Sequence, residues 1–221
     1  MRDTLTKKEV DCFFEFFRTT IQDLISCTEN IQKIVDEEGQ NYSKIIYIRS
    51  FLNHYIDLSY SHSVIPISKL FIEDEKRSFK KFLNKLEHFQ YDIELKNILK
   101  ENQEKFENGS IGEYDYLLKN KTEIKAEISS IRKGITKIEE IISRIKIRRD
   151  SYYAHFDPSK QNNIEIETLS DLKICLELAE NIYNRFFGGL LNTAFIFNIC
   201  EIDTVIELAK ESYERKTKNI E

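Results

Sequence analysis

Apolar residues recur at alternating spacings of four and three along most of this chain, the pattern of helices that each bury one face. The longest stripe runs Ile124, Ile128, Ile131, Ile135, Ile138, Ile142 and Ile145. It predicts a long helix that starts either from a cap at Ser110–Glu113, beyond the Asn108-Gly109 break, or after Asn120. Near the N-terminus, Thr6 and Glu9 form a capping box ahead of Val10, Phe14, Phe17, Ile21, Leu24, Ile31 and Val35, with Thr28 in one polar slot. A first helix ending near Gly39 follows, and Phe13, Phe14, Phe16 and Phe17 read as core. Ser43 caps a second helix through Ile45, Ile48, Phe51, Leu52, Tyr55 and Ile56, after which Leu58 to Phe71 reads as a turn at Pro66 and a short helix.

Two further helices are marked by Phe79, Phe82, Leu83 and Leu86, and by Ile93, Leu95, Ile98 and Leu99. Thr168 and Asp171 cap another, whose stripe of Leu172, Cys175, Ala179, Ile182 and Phe186 makes it the natural partner of the isoleucine seam until Gly188-Gly189 interrupts it. Asp203 to Tyr213 is amphipathic, and the tail from Arg215 is expected to fray.

Composition narrows the class. Two prolines, six glycines and no tryptophan, with 41% hydrophobic and 32% charged residues, favour helices over sheets. The expectation is an all-α antiparallel helical bundle with long amphipathic helices, forming a single domain over residues 1–221. The first residues lack the apolar segment of a signal peptide, and no apolar run approaches the roughly 18 residues of a membrane span; the expected location is the cytoplasm. Cys12, Cys27, Cys175 and Cys200 form no C-x-x-C pair and read as reduced packing residues. His54, His62 and His88 read as surface or structural histidines.

Charge is distributed unevenly. Lys119 to Arg149 holds ten Lys/Arg against four Glu, a local net of +6 in a chain of net −5. Such asymmetry marks either a polyanion-facing surface or the solvated face of a long helix. Continuing the seam count past Ile145 lands on Arg149, Tyr152 and Phe156. An arginine thus stands where the next core residue is due, and it must meet an anion or a carboxylate.

The stretch reads Arg148-Arg149-Asp150-Ser151-Tyr152-Tyr153-Ala154-His155-Phe156-Asp157. It resembles the R-x(4–6)-H signature of the HEPN superfamily (higher eukaryote and prokaryote nucleotide-binding domains), and within it the abortive-infection branch, in which Arg-Asp leads into Ala-His-x-Asp. The resemblance covers the motif and its helix well and the helical layout loosely. It implies a HEPN-like bundle, a homodimer and a metal-independent endoribonuclease that leaves a 2′,3′-cyclic phosphate without a cofactor. It also implies a toxin–antitoxin or phage-defence role, a nucleotidyltransferase-type antitoxin as partner, and RNA, tRNA included, as substrate.

Residue types fit that chemistry. His155 can move protons near neutrality and an arginine fork can bind two phosphoryl oxygens. Asp150 and Asp157 would orient the arginine or the imidazole, Tyr152 and Tyr153 would donate to phosphate or stack on a base, and Arg144 and Lys146 would contact the strand. The doubled arginine leaves two alternatives. At about 100° per residue Arg148 lies within about 20° of His155, whereas the family motif selects Arg149. A competing reading makes Arg149 and its neighbouring acids a salt-bridge cluster in a non-catalytic dimerisation or interaction module.

Overall fold

The computed structural model describes residues 3–72, 75–109, 116–153, 167–193, 195–198 and 202–218. Among them the fold is all-α. The helices are α1 (Lys7–Ile45), α2 (Arg49–Phe71), α3 (Phe79–His88), α4 (Ile93–Glu107), α5 (Lys121–Lys137), α6 (Glu139–Arg148), α7 (Leu169–Leu191) and α8 (Asp203–Lys218). Two short strands, β1 (Thr4–Leu5) and β2 (Gln90–Tyr91), pair in parallel and pin the start of the chain to the junction of α3 and α4. Asp92 fastens that junction, because its carboxylate caps Leu95 N–H and also accepts the Lys7 N–H.

Cap chemistry sets several helix starts as the residues dictate. The Thr6, Ser78, Asp92, Asn120 and Thr168 side chains each accept a backbone N–H three residues on, filling donors that a helix start leaves open. At Thr168 the reciprocal bond from Asp171 completes a capping box. Asn120 thus starts the basic helix. The alternative cap at Ser110–Glu113 lies outside the described residues.

The isoleucine seam is buried at Ile124, Ile128, Ile131, Ile135, Ile142 and Ile145, but it belongs to two helices. Ile138 leaves helical geometry (φ −109°, ψ 15°) and divides α5 from α6. The bend lets the stripe follow two neighbours: α5 packs chiefly on α3 and α6 chiefly on α2, and α7, the expected partner, meets both less extensively.

Other boundaries differ from expectation: Ser43 lies inside α1 instead of capping the next helix, which starts at Arg49 without a side-chain cap. Gly39 does not end α1; the helix kinks two residues later at Asn41 (φ −130°), since one glycine in a helix costs only about 1 kcal/mol. Pro66 lies inside α2 rather than in a turn. Proline in a helix costs about 3 kcal/mol, but Val64, Ile67, Leu70 and Phe71 on the same segment are fully buried, each contributing about 1.5–3 kcal/mol; continuity wins. Gly188-Gly189 lies within α7, which runs on to a left-handed cap at Asn192. The tail expected to fray from Arg215 is helical through Lys218.

One large core joins the phenylalanines of α1 and α3 to the α5–α6 seam and the α7 stripe, with the Phe17 and Phe79 rings tilted against each other at 4.4 Å between centroids. A second, smaller core of Ile34, Ile45, Leu52, Ile202 and Ile206 holds the far ends of α1 and α2 to α8. Ile34 takes the buried position expected of Val35, which is exposed. Around that core, Lys33 to Asp203 (2.6 Å) and Lys210 to Glu37 (2.8 Å) tie α8 to α1. Cys27 is half-buried and Cys175 buried; Cys12 is exposed rather than packed, and Cys200 lies outside the described residues. His54, His62 and His88 are exposed. No described helix is long and apolar enough to cross a membrane.

Candidate functional site

At the end of α6 the chain widens into a π turn, Arg149–Tyr153, a feature that recurs at functional sites. Three arginines stand at or just before it. Arg144 and Arg148, four residues apart, share one face of α6, and Arg149 stands one residue past its end.

Each arginine meets carboxylates contributed by other elements. Arg144 donates to Asp171 at 2.9 Å, so Asp171 both caps α7 and anchors α6. Arg148, 13% exposed, lies 3.5 Å from Glu167, which is 1% exposed and precedes the α7 cap. Burial, and then the charge of Glu167, push the Tyr60 phenol on α2 above its ordinary range. Arg149 turns the other way. Its Nε and one terminal nitrogen form a fork on Asp150 Oδ1 at 2.7 and 2.6 Å, and its other terminal nitrogen donates to Ser68 of α2 at 2.6 Å.

The remaining contact of Arg149 is looser. Glu75, in the connection between α2 and α3, approaches to 3.5 Å and its side chain is 36% exposed, whereas the Arg149 side chain is 16% exposed. Arg149 is thus oriented by Asp150 and Ser68, and Glu75 is the partner that an incoming anion can most readily replace.

The structure sets Arg149 with Asp150 against α2 and Arg144 and Arg148 against the start of α7, and separates Lys146 from them. Lys146 is exposed and sits two residues from both Arg144 and Arg148, on the opposite side of the helix. The count of 100° per residue that set Arg148 against His155 stops at Arg148, because the π turn changes the pitch beyond it. Tyr152 and Tyr153 are described in backbone alone, with Ser151 buried beside them. Ala154, His155, Phe156 and Asp157 lie outside the described residues.

Sequence reasoning missed the partners Ser68, Glu75, Glu167 and Tyr60. Ser68 carried a usable signal, as a polar residue on the buried stripe of Val64, Ile67 and Phe71. The others come from distant segments. Much of the basic excess of residues 119–149 is neutralised locally: Lys119 pairs with Glu123 at 3.4 Å and Arg132 with Glu87 at 2.6 Å, in addition to the arginine cluster. Comparison with models of known families, with curated proteins and with solved structures finds no match to this chain.

Proposed function

We propose that the chain is a metal-independent endoribonuclease of the HEPN type, an antiparallel bundle that works as a homodimer in toxin–antitoxin or phage defence. The observation that carries this reading is the held guanidinium of Arg149, semi-buried and oriented by Asp150 and Ser68 at the start of the Arg-x(5)-His motif. Binding RNA would replace Glu75 with a phosphate on the free edge of that fork.

In the reaction His155 takes the 2′-hydroxyl proton, the 2′-oxygen attacks phosphorus, and the bond to the 5′-oxygen breaks. Arg149 stabilises the added charge on the phosphoryl oxygens. The 5′-oxygen leaves with a proton, and the cyclic phosphate remains on the other fragment. A two-fold dimer supplies a second histidine for the leaving-group proton. Arg148, held toward Glu167, shapes the site from the α7 side.

A second reading has its own support, since each of the three arginines has a carboxylate within 3.5 Å. On this view the cluster joins α2, α6 and α7 in a non-catalytic interaction module.

Total RNA and tRNA incubated in EDTA with the wild-type chain and with His155→Ala separate the two. The nuclease reading expects cleavage with cyclic-phosphate ends by wild type alone, with unchanged melting and dimer content in the variant. No cleavage by wild type, together with a lower melting temperature in Arg149→Ala, would leave the interaction module.

A further inference from the structure

A second concentration of positive charge lies outside the arginine cluster. A cavity of about 600 Å³ opens between the start of α1, the connection to α3 and α3 itself, with Lys8, Glu9 and Cys12 on one side and Lys76, Arg77 and Lys85 on the other. Its size is that of small-molecule sites.

The charges around it are poorly compensated. Glu9 is the only carboxylate in the lining among the described residues, and Lys85 holds it at 2.7 Å. Among the described residues Lys8, Lys76 and Arg77 have no carboxylate partner, and Arg77 is engaged only with the ring of Phe16, 6.0 Å away. These three cations come from two segments almost 70 residues apart in sequence and are brought to one concavity by the β1–β2 pairing and by α3 packing on α1. In a chain of net −5, three exposed cations gathered around one hollow create a local positive potential that attracts an anion.

From this arrangement we propose a binding site for a small ligand carrying two or more linked phosphates, of the inorganic polyphosphate or nucleoside polyphosphate class. One phosphate carries about −1.5 to −2 at pH 7, so two linked phosphates, at about −3 or slightly more, match the three cations. Lys76 and Arg77 grip the anion from the connection and Lys8 from α1. The concave shape favours a compact ligand over an extended strand, and the site does not depend on the nuclease reading, although Lys76 directly follows Glu75, the residue beside Arg149.

Cys12 is exposed in the lining and serves as a reporter. The full chain is labelled with N-ethylmaleimide and the rate at Cys12 followed by peptide mass, with the half-buried Cys27 as internal reference. Inorganic triphosphate, ATP and a short RNA with a 5′-hydroxyl are the probes. Triphosphate and ATP are expected to slow labelling saturably at Cys12 alone. Tighter protection by ATP points to the nucleoside class and equal protection to inorganic polyphosphate. The exposed pair Lys76→Glu and Arg77→Glu should weaken protection at least tenfold while melting stays unchanged, and Lys133→Glu on α5 should leave it intact. Unslowed labelling with both phosphates, equal protection of the double variant, or protection by the RNA alone would overturn the proposal.

Discussion

Arg149 shows how one residue can satisfy two readings of the same motif. Its fork on Asp150 and its bond to Ser68 are fixed, while Glu75 is long and half exposed. Glu75→Gln removes a competing anion, and the nuclease reading expects KM for RNA to fall about two- to fivefold with kcat unchanged, the scale of a half-exposed pair of about 0.5–1 kcal/mol. In an interaction module the same change costs a few tenths of a kcal/mol of stability with no activity to alter, which urea titration beside the cleavage assay would register. Tyr183 offers a cleaner energetic test. Its ring is buried in the aromatic core, but its hydroxyl has no protein hydrogen-bond partner among the described residues. Tyr183→Phe should therefore be neutral or stabilising by up to about 1 kcal/mol; a clear loss in chemical denaturation would show that the hydroxyl is bonded after all.

At the scale of elements, two helical glycines ought to respond oppositely to a methyl group. A Cβ on Gly134 of α5 meets only the tip of Leu178, at 3.3 Å, and that flexible end can move. Gly134→Ala should be neutral or gain up to about 1 kcal/mol from helix propensity. On Gly189 of α7 the Cβ meets Leu118 at 3.0 and 3.1 Å and Tyr116 at 3.3 Å. Leu118 cannot retreat, because its N–H donates to the Gly189 carbonyl at 2.8 Å and Asn102 donates to the carbonyls of both Leu118 and Gly189. Gly189→Ala should cost about 1–3 kcal/mol, and equal melting temperatures for the two variants would refute the distinction. The sequence showed Gly188-Gly189 only as a break, since a glycine kept for close approach and one that ends a helix look the same without the neighbour.

For the molecule as a whole, the titrating groups that burial displaces point to alkaline lability. Burial pushes Cys175 and Tyr183 up to about 12, and Tyr91 and Tyr116 well above the usual phenol range, the last aided by its bond to Glu127. The hydrogen bond to Glu37 likewise raises Lys210. All these folded-state values exceed the unfolded ones. Above about pH 9–10, where the unfolded chain begins to release these protons, the native state binds more of them, and stability falls as pH rises. Their contribution is complete at neutral pH. Urea midpoints should hold steady from pH 7 to about 9 and drop beyond it; a midpoint unchanged at pH 11 would contradict the burial of these groups.

The sequence alone determined the all-α class, the buried faces of α1, α3, α5, α6 and α7, and the starts of helices at Thr6 and Thr168, because side-chain spacing and cap chemistry are local properties. It also isolated Arg149 as a charge on a buried stripe. Tertiary structure alone decided the division at Ile138, the survival of α2 across Pro66, the choice of Ser68, Glu75 and Glu167 as partners, and the gathering of Lys8 with Lys76 and Arg77. In each of these the deciding energy is burial or charge contributed by a segment distant in the chain, which no local pattern encodes.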